Sequence, residues 1–397
     1  MISNRQLFLE YIAQTSPEPL MAEIDTARGV YLYGPSGEKY IDIIAGVSVS
    51  ALGHNHPSVI KAVKEQVEHH MHIMVYGEVI QSPQVKYAQL LSSTLGDGFD
   101  NTYFLNSGSE AVEGAIKLAR KATGRSNIVS FKNAYHGSTL GALSIMGGDL
   151  YKKGYYPLIP DTRQLEYNAF EDLRHITTKT ACVIAEPVQG EAGIVLPEEN
   201  FLRQLRERCN QTGALLIFDE IQTGFGRTGS LFAFMKCGIK PDIIVMAKSL
   251  GGGMPLGAFI TRKELMKTLS EKPALGHITT FGGHPVSCAA GLACLKTILK
   301  EKLHESVANK EQLFRKHLSH PAVKEIRGTG LMLAAELASS DLMHKTVKCA
   351  LKNGVLTDWF LFCNTAVRIS PPLIISNREI ITACNLLNQA IDEATKI

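Results

Sequence analysis

Between residues 100 and 262, short apolar runs rich in β-branched residues alternate with stretches of helical periodicity, and this rhythm limits the fold more than any other feature. The runs are Thr102–Leu105, Ile128–Phe131, Ala181–Ala185, Ala214–Phe218, Ile243–Met246 and Gly257–Ile260. Strands buried on both faces read as continuous apolar segments, so the pattern predicts an α/β fold with a mainly parallel central sheet sandwiched by helices. Between the first two runs, Val112, Ala115, Ile116 and Ala119 recur at helical spacing, with Lys117, Arg120 and Lys121 mostly toward the other face.

The texture changes after residue 300. Ile326–Leu337 reads as strand interrupted by Gly328 and Gly330, and a helix follows that ends at Asn353-Gly354. The last helix opens at Ser376, with Glu379 three residues on as a capping box. Near the N-terminus, Gly29–Asp42 reads as a hairpin turning at Gly34-Pro35-Ser36-Gly37. With 397 residues, more than one compact core is expected. The expected division is an N-terminal segment 1–50, a large domain 51–284, a linking helix 285–304 and a smaller α+β domain 305–397.

A net charge of +3 is too small to suggest a nucleic-acid partner. No apolar run approaches the roughly 20 residues that span a bilayer, and the N-terminus lacks the pattern of a signal peptide. A cytoplasmic protein with no membrane partner is therefore expected. The eight cysteines form no C-x-x-C pair and read as buried free thiols. His54 and His56 bring no third ligand with them, so no metal is expected.

Chemistry concentrates at predicted strand ends. Leu216-Ile217-Phe218 runs into Asp219, and Ile243-Ile244-Val245-Met246-Ala247 runs into Lys248 ahead of Gly251-Gly252-Gly253. Open α/β sheets bind ligands at the carboxyl ends of their strands. A lysine at a desolvated strand end loses its proton more readily, which imine chemistry requires. A carboxylate at the end of the preceding strand suits the nitrogen of an electron-accepting pyridine ring. The third element is Phe104-Leu105-Asn106-Ser107-Gly108-Ser109-Glu110, a strand entering a helix through a glycine turn. Free N–H groups and the hydroxyls of Ser107 and Ser109 suit a phosphate there, although a plain helix cap would read the same in isolation.

Together these segments resemble the class III pyridoxal-phosphate-dependent aminotransferases of fold type I, over nearly the whole chain from Gly29 to Pro372. The resemblance implies a small domain built from both the N- and C-terminal segments, a Lys248 Schiff base to pyridoxal 5′-phosphate, and a homodimer with shared active sites. It assigns Ser107, Gly108 and Ser109 to the phosphate and Tyr135, beside His136-Gly137, to stacking on the pyridine. Asp219 takes the ring nitrogen, Gln222 the phenolic oxygen, and Glu186 lies near the cofactor. In Thr279-Thr280, the second threonine reaches the phosphate of the neighbouring subunit. Glu191 is expected to pair with Arg368, which clamps a substrate carboxylate when the pair opens.

One position departs from the family. Members acting on ornithine or N-acetylornithine carry an arginine after His-Gly, and here that residue is Ser138. The lost two-pronged contact is worth about 1.5–3 kcal/mol. The turn Ala45–His54 nevertheless resembles the acetylornithine branch. The expected activity is ping-pong transfer of the terminal amino group of N-acetylornithine, another N-acylornithine or ornithine to 2-oxoglutarate. The alternatives are an omega-amino acid or amine aminotransferase using pyruvate, and, further off, an aminomutase or decarboxylase.

Overall fold

The computed structural model describes residues 3–396. Its central element is a seven-stranded sheet, in spatial order Asn101–Leu105, Gly257–Thr261, Ile243–Met246, Leu215–Asp219, Thr180–Ala185, Asn127–Phe131 and Thr162–Leu165. The middle strands are buried along almost their whole length because helices cover both faces. Neighbours pair in parallel except around Gly257–Thr261, which runs antiparallel to both strands beside it. Residues 247–256 explain the reversal, since a parallel return needs a crossover of about a dozen residues or more and this connection is only a short 3-10 turn and a bend.

The predicted runs coincide with six of these strands; the edge strand Thr162–Leu165 is the one not anticipated. Its residues Thr162-Arg163-Gln164-Leu165 carry one apolar side chain, as suits an edge that leaves half its surface in water. The amphipathic helix spans Gly108–Thr123, capped by Ser107 at its start and by left-handed Gly124 at its end. It buries Val112, Ala115, Ile116 and Ala119 against the sheet in one apolar cluster with Ile128, Ile184, Ile217 and Val245.

Two smaller sheets flank this layer. Glu325–Thr329 and Met332–Glu336 form a hairpin turning at Gly330, where the sequence reads as strand interrupted by Gly328 and Gly330, and Ala366–Ile369 adds a third antiparallel strand. Tyr31–Tyr33 and Lys39–Asp42 form the expected N-terminal hairpin. Val355–Leu356 pairs in parallel with Ile41–Asp42, so distant parts of the chain share one sheet. Helices Ser340–Lys352 and Asn377–Ala394 pack together, the latter opened by the Ser376–Glu379 capping box. The helix Pro285–Lys300 lies against Pro57–His69 and Ser82–Leu95.

Ala45, Gly46, Val47 and Ser48 all adopt positive φ (49°, 62°, 59° and 65°), giving a left-handed turn that nothing in the sequence announced. Such backbone costs about 1–2 kcal/mol per non-glycine residue, so its surroundings must hold it. Asp42 accepts from the N–H groups of Ile44 and Ala45 at 2.9 and 2.8 Å. Ser249 Oγ donates to the carbonyls of Ser48 and Val49 at 2.8 and 3.2 Å, and the N–H of Ser370 donates to Ile43 at 2.7 Å.

Candidate active site

Five strands of the large sheet deliver polar residues to the same side. The segments after Leu105, Phe131, Ala185 and Met246, and the last residue of Leu215–Asp219, surround a cavity of about 370 Å³. Its walls include Ser107, Gly108, Ser109, Tyr135, His136, Glu186, Asp219, Gln222 and Lys248. Nine sequence-predicted residues thus meet in one place. Asn106, within the same turn motif, also lines it, as do Val49 and Met254–Leu256, which carry no polar signature in the sequence.

Lys248 has a positive φ of 52°, unusual for a non-glycine residue, at the turn where the chain leaves its strand. Burial, with help from the Arg368 guanidinium, outweighs Glu191, Asp219 and Glu186 and lowers its pKa from the ordinary 10.5 to about 8. Roughly one side chain in eleven is therefore a free amine at about pH 7, far more than for an ordinary lysine.

Asp219 is held by the His136 ring, whose Nδ1 lies 2.7 Å from Oδ2, and by the N–H of Ile221 at 3.0 Å from Oδ1. The neighbouring acid turns away: Glu220 accepts from the N–H groups of Ala233 and Phe234 at 3.0 and 2.7 Å, so only Asp219 of this pair faces the cavity. Glu186 accepts from the N–H groups of Gly190 and Tyr135 at 3.1 and 3.4 Å, fixing the turn that carries the Tyr135 ring. Burial first, and then the charge of Asp219, push the Glu186 pKa well above the usual carboxylate range.

At the opposite wall the Gly108–Thr123 helix begins. Ser107 Oγ accepts from the N–H of Glu110 at 3.2 Å, and the Glu110 carboxylate accepts from that of Asn106 at 2.7 Å. Ser109 Oγ accepts from Ser138 at 3.3 Å. Gly137, at φ 121°, allows this approach, since a Cβ there would lie 2.0 Å from Ser109 Oγ.

Glu191, Ser138 and Thr279 stand one contact behind this lining. Gln222 Nε2 donates to Glu191 at 3.0 Å. Arg368 grips the same Glu191 carboxylate with two prongs, at 3.0 and 2.9 Å. Burial alone would raise the Glu191 pKa, but Arg368 and then Lys248 outweigh it and leave it lowered. Ser138 is exposed, its hydroxyl 3.2 Å from the Tyr135 hydroxyl. Thr279 accepts from Asn106 Nδ2 at 3.1 Å. Thr280 does not reach this cavity: it is exposed on its loop, beside exposed Phe281. Asp358, which sequence reasoning missed, binds Arg368 Nε at 2.8 Å. His54 is committed to Asp42 at 2.8 Å, and His56 lies 2.8 Å from the Ser58 hydroxyl.

The chemistry of this lining fits an aldehyde-bearing pyridine phosphate. One end offers a helix N-terminus with hydroxyls, one wall a buried carboxylate backed by an imidazole, and the floor an amine of lowered pKa. The chain belongs to the aminotransferase class-III family, whose model matches residues 11–391. It is a transaminase that depends on pyridoxal phosphate. The acetylornithine aminotransferase of Methanopyrus kandleri is 41% identical over 92% of this chain and 92% of its own. That of Methanosarcina acetivorans is 39% identical over 96% of this chain and 94% of its own. Among solved structures, the ornithine aminotransferase of Toxoplasma gondii superposes with a TM-score of 0.91 at 29% identity, covering 100% of this chain and 96% of its own. A thermostable omega transaminase variant from Pseudomonas jessenii also gives 0.91, at 26% identity, covering 100% and 99%.

Proposed function

We propose that the chain transfers the terminal amino group of an ornithine-type donor, N-acetylornithine or a related N-acylornithine or ornithine, to 2-oxoglutarate in two half-reactions. The observation that carries this reading is the Arg368–Glu191 pair, which abuts the cavity through Gln222. The acetylornithine aminotransferases among the relatives support it.

When bound, the cofactor supplies an aldehyde for covalent attachment and a ring that accepts electrons. Lys248 would anchor it and would carry the proton taken from the donor carbon, for which a pKa of about 8 is well matched. Asp219 would keep a proton on the ring nitrogen, with His136 holding the carboxylate in place. Backbone N–H groups at Ser107, Gly108 and Ser109 would hold the phosphate, Tyr135 would cover one ring face, and Gln222 would serve the phenolic oxygen. Glu191 covers Arg368 while the donor reacts and yields it to the carboxylate of the oxo acid in the second half.

Thr280 then serves the site of a second copy, so a homodimer is part of the proposal. An apolar groove of about 320 Å³ supports it, lined by Val79, Ile80, Val85 and Thr279, with Ile80 itself 93% exposed. A second reading, an omega-amino acid or amine donor with pyruvate as acceptor, draws on Ser138. Among the described residues, Lys248 is the only lysine or arginine lining the cavity, so this lining offers a distal carboxylate no second cation.

The test is a panel of N-acetylornithine, N-succinylornithine, ornithine, 4-aminobutyrate, lysine and β-alanine against 2-oxoglutarate and pyruvate. The proposal expects an ornithine-type donor with 2-oxoglutarate to give the highest kcat/KM. Pyruvate preference with poor use of the ornithines would move the assignment to the second reading. Turnover without stoichiometric oxo acid would mean an aminomutase or decarboxylase.

A further inference from the structure

The proposed exchange at Arg368 asks something of the guanidinium that Glu191 cannot supply. When Glu191 leaves, Arg368 must stay where it is; otherwise it follows the departing carboxylate and no post remains for the oxo acid. The side chain is 3% exposed and all its edges are used. Nη1 and Nη2 meet Glu191, Nε donates to Asp358 Oδ1 at 2.8 Å, and Nη2 also donates to the Trp359 carbonyl at 2.9 Å. The guanidinium carbon stands 4.3 Å from the centroid of the Phe360 ring.

These partners sort by the element that carries them. Glu191 sits on the loop after Thr180–Ala185, in the large sheet, and is tied to Gln222 and to the N–H of Leu361 at 3.2 Å. Asp358, Trp359 and Phe360 follow Val355–Leu356. Their backbone is fastened to the strand of Arg368 itself: the N–H of Arg368 donates to the Asp358 carbonyl at 2.9 Å, and Thr357 Oγ1 donates to the Arg368 carbonyl at 2.7 Å. Asp358 is thus fastened through the backbone to the strand of Arg368 itself, whereas Glu191 comes from the loop after a strand of the large sheet and meets the Asp358 segment only at its far end, where the N–H of Phe362 donates to the Glu191 carbonyl at 3.0 Å.

We infer that Asp358 is a positioning residue for substrate specificity: it pins the Nε edge of Arg368 so that Glu191 can be exchanged for the carboxylate of a 2-oxo acid. The two acids also share one cation, and the negative charge of each weakens the hold of the other. Burial, together with Glu191, raises the Asp358 pKa although Arg368 opposes the shift. The inference rests on the proposed role of Arg368 as the carboxylate post.

The experiment separates the half-reactions of the holoenzyme. Asp358→Ala is expected to raise the KM for 2-oxoglutarate about 10-fold or more, as loss of a charge-assisted hydrogen bond does. The rate of the donor half-reaction, in which Glu191 still covers Arg368, should stay within about twofold. Asp358→Asn keeps an acceptor for Nε and should bring the KM back to within about threefold of the parent. Equal damage to both half-reactions, an unchanged KM in Asp358→Ala, or an Asn variant as impaired as the Ala variant would each overturn the inference. If Asp358→Ala does not give folded holoenzyme, Asp358→Thr, too short to reach Nε, takes its place with the same expected split. Arg368→Lys is the control. An unchanged 2-oxoglutarate KM there would sink the proposed role of Arg368 itself, whereas a raised KM there with none in Asp358→Ala would sink only the role of Asp358.

Discussion

Mixing cofactor-free protein with pyridoxal phosphate across a range of pH reads the state of Lys248 directly. Only the neutral amine attacks an aldehyde. With a pKa of about 8 rather than the ordinary 10.5, roughly one Lys248 in eleven is neutral at about pH 7, against about one in three thousand for an unperturbed lysine, an advantage of roughly 300-fold. A base of lowered pKa gives up its proton as pH rises through the lowered value. The second-order capture rate should therefore climb about tenfold per unit up to about pH 8 and flatten above it. The same shift makes the cofactor-free protein more stable as pH rises from about 8 to 10.5, because unfolded Lys248 still holds a proton there that the folded side chain has lost. Rapid mixing at constant ionic strength, followed by the visible absorbance of lysine-linked cofactor, measures the profile. A rate that keeps climbing past about pH 9.5 would refute the argument that desolvation at this strand end governs Lys248.

Two substitutions probe the groups around it. Asp219→Asn keeps the volume and removes the charge that His136 holds and that is proposed to serve the cofactor ring; turnover should fall roughly 10- to 160-fold, the kinetic equivalent of a charge-assisted hydrogen bond, with near-normal far-ultraviolet dichroism. Ser249→Ala removes the hydroxyl that braces the left-handed turn against the residue after Lys248. Because Val49 lines the cavity, the donor KM should rise about 2- to 13-fold while kcat changes less, and Ser249→Thr should recover most of the loss.

Much of this fold could be read from the chain because burial writes itself into composition. The five central runs have no choice but to be apolar on both faces, and their charged ends at Asp219 and Lys248 therefore stand out. Caps were legible for the same kind of reason: Ser107 and Ser376 satisfy N–H groups at helix starts by purely local contacts. What escaped depends on distance along the chain or on backbone geometry. Thr162–Leu165 is a strand only because Asn127–Phe131 offers it an edge. The reversal at Gly257 follows from a short connection rather than from any residue in the strand. The left-handed turn at Ala45–Ser48 is held by Ser249, about two hundred residues away in sequence, and neither segment hints at the other. Asp358 reads as one surface acid among many until Arg368 is folded beside it. The cavity residues were found through the family resemblance as much as through physics: Tyr135 and Gln222 carry no local mark of their task.

The central proposal is that Lys248 carries the cofactor. Borohydride reduction of the holoenzyme converts a lysine–cofactor imine to a stable secondary amine, and proteolysis with mass spectrometry then locates the modified residue. The account predicts one pyridoxyl-phosphate adduct per chain, on the peptide containing Lys248, and none on the same peptide from Lys248→Ala. An adduct on another lysine in the unaltered protein, or a Lys248→Ala variant with near-normal multiple turnover, would contradict it.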